Sequence, residues 1–267
     1  MDIQLSEHFD VKKIIKFTIP SVIMILFTSI YGVIDGLFVS NFAHDEALAA
    51  INLMWPSIMI IGVIGFMMGT GGSALVSKTL GEGNVKKANE YFSMIVYFTL
   101  ISTIVLGIVG IIIMRPLATM LGAEGETLTN CIIYGRILCG GLICFMTQNL
   151  FQSFLVVAER PDLGMKFTIA AGLTNMVLDY VLIALCNWGV AGAAIATIAG
   201  QAVAGFLPII YFLNVSLNKL DPSKGILYFS SVNLVRYLSL ALGTILAALS
   251  AAREFKVALS CADLSTK

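Results

Sequence analysis

Long apolar stretches separated by short polar joints make up most of the chain. A window of about 20 residues, the length of a helix that crosses a bilayer, finds such stretches at 16–41, 47–77, 91–114, 130–157, 165–186, 189–213 and 232–250. The last is the weakest, because polar residues resume soon after Ser250. The pattern predicts an all-α membrane protein with six helices and a weak, incomplete seventh.

The composition agrees with this class and limits the partners. Hydrophobic residues make up 58% of the chain, charged residues 12%, and the mean hydropathy is +0.93, far from the averages of soluble domains. Sixteen basic residues balance sixteen acidic ones, so no positive field favours a nucleic-acid partner. The five cysteines show no CxxC spacing and are typical of small buried side chains. We expect membrane lipid around the chain, and neither an enzyme activity nor a cofactor.

The basic residues lie almost entirely on one side of the predicted membrane. Ten lysines and arginines fall in the N-terminal segment and in alternate joints, whereas the opposite joints hold Arg115 alone. This bias predicts a multi-pass plasma-membrane protein with a cytoplasmic N-terminus. Arg136, one or two turns inside the outer end of the fourth stretch, can reach the interface with its long side chain.

Asp35 and Asp179 are exceptions, because each lies inside an apolar stretch. A carboxylate in hydrocarbon costs about 2.5–3.5 kcal/mol on insertion scales, so it usually faces a partner, a cavity or an ion. Two such residues predict an ion-coupled transporter. The structural alternative is that each aspartate caps a backbone break or bonds to a neighbouring hydroxyl.

The two acids are predicted to lie at one depth in the membrane. At a rise of 1.5 Å per residue, Asp35 and Asp179 lie about 9 and 10 Å from the outer ends of their helices, and Thr197 lies about 12 Å from the outer start of the sixth. Tyr31 and Asn175 each precede an acid by four residues, the spacing that stacks side chains on one helix face. One polar chamber would hold all five side chains.

Such a chamber suits a small cation or a proton. Carboxylates, an amide oxygen and a hydroxyl are hard oxygen donors, and two close carboxylates share a proton because they do not readily ionise together. Thr197 has a structural alternative, since a helical threonine often bonds its own helix carbonyl.

Pro20 lies fifteen residues before Asp35 in the first helix. Its missing N–H removes a helical hydrogen bond and would allow a bend, so we interpret it as a hinge. The alternative is a static proline near the first turn of the helix.

Six segments follow one another in an informative order. They are Tyr31-Gly32-Val33-Ile34-Asp35-Gly36-Leu37-Phe38-Val39, Gly69-Thr70-Gly71-Gly72-Ser73, Leu80-Gly81-Glu82-Gly83-Asn84, Ala158-Glu159-Arg160-Pro161, Thr174-Asn175-Met176-Val177-Leu178-Asp179 and Gly189-Val190-Ala191-Gly192-Ala193-Ala194-Ile195-Ala196-Thr197. Together they resemble the N-terminal half of the MATE (multidrug and toxic compound extrusion) transporters, over about residues 10–215.

The resemblance implies a transporter of twelve helices in two six-helix lobes, which exports organic cations in exchange for H⁺ or Na⁺. It implies that one cluster forms the cation site of the N-lobe and would ligate Na⁺ if sodium is the coupling ion. The implied ligands are Asp35, Asn175, Asp179 and Thr197. Tyr31 would lie beside them, and Pro20 would be the point at which the first helix bends.

The chain departs from the family pattern after the sixth helix. We interpret it as a cytoplasmic N-terminal segment (1–15), a six-helix transmembrane N-lobe (16–215), and a joint, partial helix and polar tail (216–267). We expect a truncated chain that either lacks its C-lobe or forms a parallel homodimer in its place.

Three other functions remain open. The chain could be a non-transporting fragment, or a lipid-intermediate flippase of the same superfamily, although a flippase favours a cationic cavity. An intramembrane aspartyl protease would also use two aspartates, but the YD and GxGD motifs of those enzymes are absent at Asp35 and Asp179.

Overall fold

The computed structural model describes residues 11–43 and 45–214, and this part of the chain is helical apart from short turns, with no strand. The predicted all-α class is confirmed. The seventh stretch and the polar tail, residues 1–10 and His44 lie outside the described residues. The helices are α1 Val11–Phe42, α2 Asp45–Ile61, α3 Val63–Gly81, α4 Val85–Met120, α5 Gly125–Gly140, α6 Leu142–Val157, α7 Pro161–Asp179 with a π-helical extension Tyr180–Leu185, and α8 Gly189–Asn214.

These helices form up to six membrane-crossing units. α1, α4, extended α7 and α8 each contain a segment long and apolar enough to cross a bilayer. α2 with α3, and α5 with α6, reach that length only as pairs, which bend by 44° and 55°. The six predicted spans therefore correspond to four single helices and two bent helix pairs, and the interpretation of 47–77 and 130–157 as single helices is wrong.

A glycine lies at each bend. Larger residues do not fit there, because neighbouring side chains occupy the space that a Cβ would need. A side chain at Gly62 would overlap the ring of Phe145, and one at Gly141 would overlap a side chain of α8. Phe145 packs between Trp55 of α2 and Phe66 of α3, with ring centroids 6.4 and 5.7 Å away. One aromatic side chain of α6 thus packs into the bend between α2 and α3.

α1 is attached to the bundle along one side. It packs mainly on α7, where Gly172 leaves room for the rings of Phe27 and Tyr31, and only 6% of its most apolar window is buried. α1 continues through Pro20, nine residues after its first residue, so the alternative of a proline near the first turn is wrong. The role of Pro20 as a hinge stays a prediction.

Two groups of buried side chains hold much of the bundle together. The larger joins α2, α4, α5 and α8 with Val39 of α1 and Ile183 of the π-helical extension, and it includes Met54 and Tyr134, both at most 1% exposed. The other is aromatic: the ring of Phe92 on α4 lies 4.6 Å from that of Phe154 on α6 and 5.2 Å from that of Phe212 on α8, between centroids. These helices are the packed scaffold that positions the site.

α4 and α5 approach each other closely at a glycine. A Cβ at Gly107 would lie 2.8 Å from the carbonyl oxygen of Cys139, a backbone atom that cannot rotate away. At Gly71 on α3, by contrast, a Cβ would meet no atom within 4 Å. Packing therefore requires a glycine at Gly107 but not at Gly71.

We expect Gly107→Ala to destabilise the fold by about 1–3 kcal/mol, the usual cost of overpacking, because α4 and α5 must separate. Gly71→Ala is the matched control, since its added methyl meets open space and alanine is the better helix former. Thermal unfolding of both purified variants in detergent measures the difference. Equal melting temperatures for the two variants would contradict the close α4–α5 contact.

Candidate functional site

A cavity of about 450 Å³ opens between α1 and the rest of the bundle. α1 and α2 form two walls, and side chains from α5 to α8 close the others. Four of the five predicted site residues line it: Tyr31, Asp35, Asn175 and Thr197. The polar lining also includes Thr28, Ser29, Asn52, Tyr134, Gln148 and Gln201.

The fifth predicted residue, Asp179, lies behind the cavity wall. Its side chain is fully buried, and its carboxyl group is within hydrogen-bonding range of the carboxyl group of Asp35. The pair therefore extends from the cavity surface into the packed interior. Like charges this close repel each other, so a proton or a cation between them stabilises the pair.

Several buried oxygen atoms of this cluster receive no hydrogen bond within the described part of the chain. Asp35 Oδ1, Asn175 Oδ1 and both carboxylate oxygens of Asp179 accept no hydrogen bond from the described residues. A buried unpaired acceptor costs roughly 1–3 kcal/mol, and more when charged, so native structures contain few of them. Four such oxygens from three neighbouring side chains form a donor set that suits a hard cation or a proton.

Close packing of α7 and α8 positions the neutral members of the cluster. Asn175 is 3% exposed, and a Cβ at Gly200 would lie 3.1 Å from the Asn175 Cβ. Thr197, one turn before Gly200, donates its hydroxyl hydrogen to the carbonyl oxygen of Ala193 at 2.9 Å. This is the bond that the structural alternative for Thr197 predicts. It still leaves the hydroxyl oxygen with lone pairs that can bind a cation.

Two tyrosines lie beside the carboxylates. Tyr31 precedes Asp35 by one turn of α1, packs on Gly172 of α7 and is close enough to Asp35 for direct electrostatic interaction. Tyr134 of α5 is 1% exposed and lies near both Asp35 and Asp179. Tyr134 is absent from the set predicted from the sequence, because no acid lies within one turn of it on its own helix.

Three amide side chains of the cavity are also absent from the predicted set: Asn52, Gln148 and Gln201. Gln148 is buried, and its Oε1 atom accepts no hydrogen bond from the described residues. The signal that marks the aspartates, a polar residue inside an apolar stretch, is present at all three positions. Apolar side chains and uncharged polar groups therefore line the cavity together around one carboxylate.

The helix that carries Asp179 changes form directly after it. Residues Tyr180–Leu185 are π-helical, and the backbone N–H of Trp188 then donates to the carbonyl oxygen of Leu182 at 2.9 Å. π-Helical turns are rare and often occur at functional sites. The regular α-helix of α7 thus ends at the buried carboxylate.

Comparison with known proteins finds one family along the described bundle. Residues 20–181 match the MatE family. The multidrug export protein MepA of Staphylococcus saprophyticus is 28% identical over 222 residues, which is 81% of this chain and 49% of that protein. A solved structure of MATE in the bent conformation superposes with a TM-score of 0.73 at 26% identity, over 80% of this chain and 48% of the other.

A second solved structure belongs to a MOP superfamily transporter from Pyrococcus furiosus, for which the reverse polarity of the binding pocket suggests a different function. It superposes with a TM-score of 0.74 at 26% identity, over 80% of this chain and 47% of the other. The chain spans about half the length of the curated relatives and solved structures that it matches.

We expect water to reach the cavity but not the outer face of α4. In a background where the exposed Cys186 and the C-terminal Cys261 are serine, Gln201→Cys should react with a charged, membrane-impermeant thiol reagent, because thiolate forms only in water. Ile112→Cys is the control, since Ile112 is 69% exposed on α4 but away from the cavity. Mass spectrometry of the labelled protein counts the adducts. An unlabelled Gln201→Cys variant would contradict a hydrated cavity.

Proposed function

Because this chain belongs to the MatE family, we propose that it forms the N-terminal lobe of a secondary antiporter that exports organic cations in exchange for H⁺ or Na⁺. The observation that carries the proposal is the set of buried oxygens of Asp35, Asn175 and Asp179 that have no donor among the described residues, at the wall of a cavity large enough for a small ligand. An acid pair at a cavity can take up an ion and exchange it for another cation. Relatives named as multidrug export proteins support the same function.

The charge of the cavity supports a cationic cargo. Asp35 lines it, and no lysine, arginine or histidine is among its described lining residues. Trp55 adds an aromatic face, and aromatic faces attract organic cations. A lipid-intermediate flippase, whose cargo carries phosphates, would need the opposite charge, so the cavity favours an exporter of cations.

The proposed coupling uses competition for one carboxylate. Asp35 is shared between the cavity and the buried pair, so a cation in the cavity and an ion between the carboxylates both neutralise it. Entry of H⁺ or Na⁺ would then release the cargo. For Na⁺, Asp35, Asn175, Asp179 and Thr197 would be the ligands. α1 carries Asp35 and is attached mainly along α7, so a bend at Pro20 is the motion that would reshape the cavity.

A protease function is not supported. The two aspartates of a hydrolytic dyad must both reach the substrate and a water molecule. Asp179 is fully buried and does not line the cavity. The Asp35–Asp179 pair therefore suits the binding of an ion better than the cleavage of a peptide.

The proposed exporter lies in the plasma membrane with a cytoplasmic N-terminus, as the distribution of lysine and arginine predicts. The chain matches about half of each relative, so we propose that a second lobe completes the transport pathway. A second copy in parallel orientation or a separate C-lobe could supply it. Crosslinking between copies in the membrane would distinguish a homodimer from the other two cases, a separate C-lobe and an inactive fragment.

We expect Asp35→Asn and Asp179→Asn each to abolish export of a fluorescent cationic dye from cells that lack their own exporters. Asp35→Asn removes the charge for which ion and cargo compete, and Asp179→Asn removes the second charge that holds the ion. Glu82→Gln is the matched control, because Glu82 is exposed in a joint, where it pairs with Lys78 at 4.0 Å. Membrane insertion is checked by the amount of protein in the membrane fraction.

Normal export by both aspartate variants would contradict the proposed site. Absence of export from a well-inserted wild-type chain would contradict independent activity and favour a lobe that needs a separate partner. Equal loss of export in Glu82→Gln would show that the assay reports a general effect of acidic residues.

A further inference from the structure

The outer surface of α4 and α5 carries two arginines that the proposed transport does not use. Arg115 lies on α4 and Arg136 on α5, and both side chains are exposed. α5 begins at Gly125, so Arg136 lies eleven residues into it, deeper than the one or two turns expected from the sequence. An arginine on the lipid-facing side of a membrane helix needs water, a counter-charge or a lipid headgroup.

Helix packing turns the two arginines to the same side of the α4–α5 pair. Met114 on α4 packs against Gly135 on α5, where a Cβ would overlap its side chain. Each arginine directly follows one of these contact residues. Each step of one residue along a helix rotates the side chain by about 100° around the helix axis. Because the two helices are antiparallel, these rotations point both arginine side chains to the same side of the pair.

The same contacts place the arginines at nearly one level. Gly110 also lies opposite α5, where a Cβ would be 3.4 Å from the Cβ of Cys139. Continuing this register places Arg136 opposite Ile113, about 3 Å along the axis from Arg115. Packed helices lie about 8–10 Å apart, so two long side chains on the same side can reach one ligand.

Their depth matches a layer of lipid headgroups. Lys87 near the start of α4 and Arg115 near its end are twenty-eight residues apart, which is about 42 Å of helix. A bilayer with its headgroups is about 40–45 Å thick. If Lys87 lies at the cytoplasmic headgroups, the arginine pair lies at the outer ones.

Among the described residues, no acidic side chain neutralises the pair. The ion pairs found in the described part of the chain include Lys78 with Glu82 and Arg160 with Asp162, and neither Arg115 nor Arg136 has an acid within 4.0 Å there. Two guanidinium groups on the same side of a helix pair, with no acid of the described residues beside them, attract a phosphate, to which arginine can form paired hydrogen bonds.

The surface inward of the arginines is apolar and open. Ile108 and Ile112 on α4 are 56% and 69% exposed. Gly140 on α5 is exposed, and a Cβ there would meet no atom within 4 Å. Acyl chains can lie along this surface directly below a headgroup that the arginines hold.

We propose that Arg115 and Arg136 form a binding site for the phosphate of an anionic phospholipid, whose acyl chains lie along Ile108 and Ile112. The lipid would sit in the outer leaflet and neutralise the two charges. Its binding does not depend on the proposed transport, and only the assignment to the outer leaflet uses the predicted orientation.

The test is titration of the delipidated, detergent-purified chain with phosphatidylglycerol or phosphatidylcholine, followed by native mass spectrometry of the bound lipid. We expect tighter binding of phosphatidylglycerol, and a loss of about tenfold in its affinity in the Arg115→Gln/Arg136→Gln double variant. Lys86→Gln/Lys87→Gln is the control, because it makes the same charge change on α4 at the opposite membrane surface. Melting temperatures show that each variant is folded.

The Arg115→Lys/Arg136→Lys variant separates charge from geometry: it should retain part of the affinity, because it keeps the charges but loses the paired hydrogen bonds. Unchanged affinity in the Arg115→Gln/Arg136→Gln variant would overturn the proposal. An equal loss of affinity in the Lys86→Gln/Lys87→Gln control would also overturn it. Displacement of the lipid by inorganic phosphate at equal concentration would also overturn it, because the site would then bind free phosphate rather than lipid.

Discussion

Two carboxyl groups in contact inside an apolar helix bundle are the constraint on which the rest of this structure depends. Asp35 and Asp179 come from different helices, α1 and α7, and no described side chain donates a hydrogen bond to the buried oxygens between them. Repulsion between two buried charges opposes the association of their helices unless a proton or a cation lies between them. Ion binding and the attachment of α1 are therefore parts of one equilibrium in the proposed exporter.

The packing of the bundle gives the two aspartates different surroundings. α7, which carries Asp179, is held by close glycine contacts with α8 and by further contacts with α6. α1, which carries Asp35, touches mainly α7 and leaves a cavity along its other side. A site with one ligand on a firmly packed helix and one on a lightly packed helix can convert a local change of charge into movement of the second helix.

Much of this arrangement can be predicted from the sequence, because a membrane restricts the solutions. Apolar length fixes the six spans, and the cost of a buried charge marks Asp35 and Asp179. The bends at Gly62 and Gly141 are not predictable from hydropathy, since they depend on the packing of Phe145 and a side chain of α8 against those glycines. The sequence marks the three cavity amides only as polar residues inside apolar stretches, and it does not identify Tyr134, because the roles of all four are set by neighbours on other helices.

The most direct test of the central claim is the melting temperature of the purified chain in NaCl and in choline chloride, over a range of pH. The account predicts stabilisation by Na⁺ or by falling pH, of about 5 °C or more at saturation, because either ion neutralises the buried pair. The stabilisation should be absent in Asp35→Asn/Asp179→Asn and retained in Glu82→Gln. The same ion or pH dependence in the double aspartate variant would contradict the account.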